Sequence, residues 1–156
     1  RRSLHMMPQM RSFMMGEFKA EFPDNLLYAK NHMWAMSMGD RMRFGFAAYA
    51  VRLLQDVYFL DWDLEVGVDV RVQQEIGSIE SKKAESSLYS PIAGNIVAIN
   101  QQLLEDPSSI NVDKYESGWL MEIAGDGDAL LTVGQYVDLL DSVWQETQRA
   151  IKGQMN

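Results

Sequence analysis

The residues best placed to do chemistry lie in Ile79-Glu80-Ser81-Lys82-Lys83-Ala84-Glu85-Ser86, a short polar stretch centred on two lysines. Before it runs Gln74-Glu75-Ile76-Gly77-Ser78-Ile79, and after it Ser87-Leu88-Tyr89-Ser90-Pro91-Ile92-Ala93-Gly94-Asn95-Ile96-Val97-Ala98-Ile99. Both flanks have strand character, and two extended segments joined by a few polar residues predict a hairpin. A lysine at the tip of such a hairpin keeps its ammonium in water, where a modifying enzyme can reach it. In an arbitrary polar loop the same lysine is only a solvated charge, so other residues must carry the argument.

Those residues are Glu80, Ser81, Lys83 and Ala84, and they stand in the order Glu-Ser-x-Lys-Ala. The stretch resembles the lipoyl-attachment hairpin of the glycine cleavage H-protein family. Hairpins of that kind carry one glycine 16 positions before the modified lysine and another 11 after it, which here are Gly67 and Gly94. Counting from Lys82 would land on Val66 and Ala93 instead, so Lys83 is the residue assigned the modification and Lys82 is a solvated neighbour. Gly67 and Gly94 both sit in turn-like sequence, where positive φ is cheap only for glycine. Ser90-Pro91 and the Asn111, Tyr115, Gly118-Trp119-Leu120 pattern extend the similarity, which runs from about Phe22 to Tyr136.

The resemblance implies lipoic acid in amide linkage to Lys83, as N6-lipoyllysine, with the lysine charge removed and a cyclic disulfide added. From ordinary bond lengths the whole arm reaches roughly 14 Å from the backbone. Such a protein is a carrier rather than an enzyme: partner enzymes do the chemistry on a tethered substrate at high effective concentration. Implied partners are a lipoate-attaching enzyme, which would read Glu80 and Glu85, and dihydrolipoamide dehydrogenase. The implied fold is mainly β, a barrel-sandwich hybrid or flattened β sandwich with short peripheral helices.

Two departures bear on the pathway. The family reads His-Glu-Trp where this chain has His32-Met33-Trp34, and Asp four residues after the lysine where it has Ser87. In the family those acids line the cleft that shelters an aminomethyl arm, and a cationic amine in a cleft needs carboxylates beside it. Met33 offers only a soft apolar contact. Asp56-Val57-Tyr58-Phe59-Leu60-Asp61-Trp62 also replaces the family's Val-Phe-Val-Glu-Leu-Pro type of run. These changes look like the lipoate-binding proteins of sulfur-oxidising prokaryotes, which serve a heterodisulfide-reductase-like complex, and that pathway is the favoured expectation. The alternative is the glycine cleavage system itself, with glycine decarboxylase and aminomethyltransferase as partners. On the cleft argument, restoring Glu at Met33 and Asp at Ser87 should improve aminomethyl loading. A biotin carrier is disfavoured because the Ala/Val-Met-Lys-Met signature is absent around Lys83; an unmodified structural adaptor is a further class.

Composition narrows the field. The chain has 156 residues, 47% of them apolar, which fits one folded domain with a core of ordinary size. A formal charge of −8 argues against nonspecific binding to nucleic acid or an anionic membrane, since both need a basic face. Partners with basic rims suit it better. With no cysteine, disulfides and thiolate metal sites are excluded, and any dithiol must come from an attached group. His5 and His32 lack clustered ligands, and Gly125-Asp126-Gly127-Asp128 reads as a turn rather than a calcium loop. No apolar run reaches the ~18 residues of a membrane span. The cytoplasm is expected in preference to the mitochondrion.

The elements that must position Lys83 follow from pattern. Residues 1–21 read as a flexible extension; residues 1–16 are methionine-rich, lack acids and carry Arg1, Arg2 and Arg11 without a following apolar region. A chain starting with Arg is expected to be truncated or to carry added residues. Residues 22–133 form the carrier domain. Strand patterns recur at Leu26 to Tyr28, Trp34 to Met38, Arg41 to Phe46, Val57 to Trp62 and Val68 to Val70. Ala47 to Leu54 predicts a short helix with Ala47, Ala50, Val51 and Leu54 on one face. Asn100 to Pro107 predicts a helical turn stopped by proline, and Asn111 to Ile123 a loop and a final strand. Residues 134–152 predict an amphipathic helix packed on the domain through Tyr136, Leu139, Leu140, Val143, Trp144, Thr147 and Ile151. Residues 153–156 are a fraying tail.

Overall fold

A computed structural model describes residues 7–155. The strands are β1 (Met10–Met15), β2 (Phe18–Pro23), β3 (Leu27–Tyr28), β4 (Met33–Ser37), β5 (Met42–Phe46), β6 (Val57–Trp62), β7 (Asp69–Val70), β8 (Glu75–Ser81), β9 (Glu85–Tyr89), β10 (Gly94–Ile99) and β11 (Met121–Gly125). The helices are α1 (Ala48–Leu54), α2 (Gln102–Glu105), α3 (Ser109–Val112) and α4 (Val133–Met155). The strands make a six-stranded sheet ordered β3-β4-β5-β11-β10-β7, a three-stranded sheet β6-β8-β9, and a β1-β2 hairpin. This is the mainly β sandwich expected from the sequence, with strand ends moved by a residue or two.

Period-two alternation explains how two layers close on one core. From the six-stranded sheet Ala35, Phe44, Ile96, Met121 and Ile123 point inward, and from the three-stranded sheet Val57, Leu60, Ile76, Ile79 and Leu88 meet them. Strand β4 is buried on both faces. Met33 and Ala35 enter this main core, whereas Trp34 joins a second cluster with Phe13, Phe22, Tyr28, Tyr49, Tyr136 and Leu140.

That second cluster corrects the reading of residues 1–21 as a flexible extension. Residues 10–23 form an antiparallel hairpin in which Phe13 faces Ala20 and Arg11 faces Phe22. Phe13, Met15, Ala20 and Phe22 are buried, and their partners are α4 and the outer side of β4. The pattern Phe13-x-Met15 and Ala20-x-Phe22 is a half-buried ribbon, hidden among the methionines. His5, Arg1 and Arg2 lie outside the described residues.

The predicted stripe of α1 also needs widening. Val51, Ala50 and Leu54 pack on the main core as expected, but Ala48 and Tyr49 are buried as well, against the second cluster. The helix lies between two cores, so one apolar face is not enough. The single turn α3 runs on through Asn111 and Val112, the start of the segment read as a loop. Helix α4 runs on to Met155, past the expected start of a tail. Its stripe packs as predicted at Tyr136, Leu139, Leu140, Val143 and Trp144, and the Tyr49 hydroxyl and Thr147 Oγ1 are 2.9 Å apart. The side chain of Ile151 lies outside the described residues.

Candidate functional site, the hairpin tip at Lys83

Strands β8 and β9 pair antiparallel with Glu80 opposite Glu85, leaving Ser81 to Ala84 to turn the corner. The turn is held by one side chain. Ser81 Oγ accepts the backbone N–H of Lys83 at 3.3 Å and of Ala84 at 3.2 Å, and donates to the Ala84 carbonyl at 3.1 Å. The Ser81 N–H bonds the same carbonyl at 2.8 Å. A serine at the first position of a tight turn satisfies backbone groups that would otherwise face water alone. Lys82, Lys83, Ala84 and Glu85 are all exposed. Among the described residues the Lys83 ammonium takes part in no salt bridge. The tip thus offers a free amine on a fixed backbone, which is the geometry an amide-forming enzyme needs, and a lipoyl group fits it.

The hairpin is tied to the rest of the fold at both ends, the tip first. The Lys82 N–H donates to the Asp56 carbonyl at 2.8 Å. Next to it, Asn111 Oδ1 accepts the Val57 N–H at 3.0 Å and Asn111 Nδ2 donates to the Gln55 carbonyl at 2.6 Å. Asn31 Nδ2 donates to the Tyr89 carbonyl at 2.9 Å, tying the far end of β9 to the β3–β4 turn. Asn111 was legible only as part of the Asn, Tyr, Gly-Trp-Leu pattern; nothing local marks it as an anchor.

Glu80 ends the part of β8 paired with β9, and Ser81, Lys83 and Ala84 lie in the turn that follows. Gly67 and Gly94 are not at the tip. Gly94 lies in the other sheet and Gly67 in the turn that leads into β7 beside it, where the Gly67 N–H bonds the Ile96 carbonyl at 2.7 Å and the Gly67 carbonyl accepts Asn95 Nδ2 at 2.8 Å. Gly67 has φ of 101° and open space around it, so conformation requires the glycine. Gly94 opens β10 rather than a turn, opposite Val70 and Gly125, and a Cβ there would collide with the Ala124 carbonyl oxygen. Both glycines shape the scaffold, not the attachment point.

Met33 and Ser87 do not share a cleft. Met33 is 1% exposed inside the main core. Ser87 lies opposite Ser78, and its hydroxyl donates to Glu75 Oε2 at 3.0 Å. A glutamate at Met33 would therefore be an unpaired buried carboxylate, which overturns the expectation that restoring it should improve loading. It also removes the cleft argument on which the pathway preference stood.

His32 is partly buried, with its Nδ1 2.9 Å from the Tyr136 hydroxyl and its ring centroid 4.6 Å from that of Tyr49. Burial lowers its pKa to about 4 and pushes the Tyr136 phenol far up, so both partners of this contact are neutral. Among the described residues no group of three His, Cys, Asp or Glu could hold a metal ion. No helix described is long and apolar enough to cross a membrane.

Comparison with known proteins agrees with this geometry. The model of the family "Glycine cleavage H-protein" matches residues 26–142. The glycine cleavage system H protein of Bacillus licheniformis is 34% identical over 122 residues, covering 76% of this chain and 95% of that protein. That of Rubrobacter xylanophilus is 40% identical over 104 residues, covering 67% of this chain and 82% of that protein. The crystal structure of the Mycobacterium marinum glycine cleavage system H protein superposes with a TM-score of 0.66 at 31% identity, covering 76% of this chain and 98% of that one. The chain belongs to the glycine cleavage H-protein family.

Proposed function

We propose that the chain is a lipoyl carrier of the glycine cleavage system, with the lipoyl group on Lys83, rather than an enzyme. The observation that carries the reading is the exposed Lys83 amine at the tip of a serine-braced hairpin. A lipoyl group held on Lys83 would supply a redox-active cyclic disulfide at the end of its arm. The chain's own residues attach and present it. Ser81 fixes the turn, the paired Glu80 and Glu85 give a ligase a charged landmark, and Asp56 with Asn111 keep the hairpin from folding back.

The partners on this reading are a lipoate-attaching enzyme, glycine decarboxylase, aminomethyltransferase and dihydrolipoamide dehydrogenase. The relatives reported above bear the glycine cleavage name, and none of them supports the sulfur-oxidation branch with its heterodisulfide-reductase-like complex. The bacterial relatives favour the cytoplasm as its location. The test is loading of the lipoylated protein by glycine decarboxylase with labelled glycine. Label should appear on the chain and be absent from Lys83→Arg; a lipoylated chain that takes no label refutes the reading.

A further inference from the structure

Two lysines stand side by side at the hairpin tip, and both are exposed. Their amines are chemically alike, so a choice between them has to come from the backbone that aims each side chain. That backbone treats them differently. Ser81 Oγ takes the N–H groups of Lys83 and Ala84. The Lys82 N–H reaches out of the hairpin instead, to the Asp56 carbonyl at 2.8 Å. Asp56 is bracketed by one side chain: Asn111 bonds the carbonyl of Gln55 and the N–H of Val57, its two neighbours. Gln55 closes α1 at φ 61° and ψ −143°, with its N–H on the Val51 carbonyl at 2.9 Å. Glycine takes that conformation freely and glutamine does not, so Gln55 stays there because its neighbours impose it.

We infer that Asn111 is a positioning residue that selects Lys83 over Lys82 for attachment, acting through the strained Gln55–Asp56 segment; the inference rests on the lipoyl carrier function proposed above. A turn of four residues can twist about its two strand ends, and a twist changes the direction in which neighbouring side chains leave it. Ser81 fixes the outgoing half of this turn and the Asp56 carbonyl fixes the incoming half. With both in place, one amine is presented to the activated lipoyl donor, an acyl adenylate. Attachment joins the amine nitrogen to the acyl carbon, the nucleotide leaves with the oxygen and its electron pair, and the ammonium gives up two protons.

The test uses the full-length chain with its lipoate-attaching enzyme, lipoate and ATP, stopped at partial modification. Fragmentation of the tip peptide places each adduct on Lys82 or Lys83. The wild type should carry nearly all of it on Lys83. Asn111→Ala and Asn111→Asp both lose the bond to the Gln55 carbonyl, and the Lys82 share should rise about tenfold, the factor one hydrogen bond is worth. Gln55→Gly keeps the backbone conformation with less strain and should keep the wild-type choice. One readout needs no variant: the Lys82 amide of the wild type should be protected from hydrogen exchange. An unprotected Lys82 amide overturns the inference and leaves the carrier reading intact. So do Asn111 variants that slow attachment with the share unchanged, because that is all a merely structural role would do. A shift in Gln55→Gly alone would assign the choice to the glutamine side chain and overturn the role of Asn111. No adduct on Lys83 of the wild type overturns both.

Discussion

Ser81 and Lys83 are joined by a hydrogen bond from the lysine backbone N–H to the serine hydroxyl, 3.3 Å long, at the tip of the hairpin that exposes the lysine side chain. The same oxygen serves Ala84, so a single side chain braces three backbone contacts across the turn. Ser81→Ala should cost little global stability, about 1 kcal/mol. The tip should loosen much more. Amide hydrogen exchange at Lys83 and Ala84 should accelerate, and the rate of enzymatic lipoylation should fall several-fold, while the melting temperature moves by only a few degrees.

The two glycines should respond differently to alanine. At Gly94 a Cβ meets the Ala124 carbonyl across the β10–β11 ladder, so strand separation must change. Gly94→Ala should destabilise by about 2–4 kcal/mol. At Gly67 there is space and only the positive φ resists, which costs about 1–2 kcal/mol. Thermal denaturation separates the two, since each kcal/mol moves Tm by about 2–4 °C in a chain of this size. Both variants should still be lipoylated when folded.

His32 should make stability depend on pH. Its folded pKa of about 4 lies below the ordinary histidine value because burial disfavours the imidazolium. Between those two values the unfolded chain binds a proton that the folded chain does not. Stability is therefore complete above pH ~6.5 and falls as pH drops towards 4, with a slope of at most about 1.4 kcal/mol per pH unit. His32→Asn, which tolerates the φ of 72° at this position, should flatten that slope. Urea midpoints between pH 4 and 7 provide the measurement, and a slope unchanged in the variant would refute the assignment to His32.

The β1–β2 hairpin should prove integral to the domain. Phe13 is buried, with its ring centroid 6.4 Å from that of Tyr49 and 6.5 Å from that of Trp144, the latter edge-on. Phe13→Ala should cost about 3 kcal/mol, and cooperative unfolding should move as one transition. A loss under 1 kcal/mol would restore the picture of a loose extension.

What could be read without coordinates followed the strength of local signals. The stripe of α4 was legible from its 3.6-residue repeat, the strands from Leu27 to Val70 from short apolar runs bounded by turn residues, and the Lys83 hairpin from the order Glu80-Ser81-Lys82-Lys83-Ala84. The β1–β2 hairpin was not, because each strand shows only two inward residues amid methionines, and its partners Tyr49, Tyr136 and Trp34 are far away in sequence. The outward pair Tyr58 and Phe59 was hidden by the run Val57-Tyr58-Phe59-Leu60, in which a bulge cannot be told from a continuous buried strand. Met33 was misread as a cleft residue, because burial on both faces of β4 depends on two separate cores that no local pattern announces.

The most direct measurement is peptide mapping by mass spectrometry of protein purified from its native host. The account predicts a lipoyl adduct on Lys83 and none on Lys82. An unmodified Lys83, in cells whose other lipoyl proteins carry the group, would contradict it.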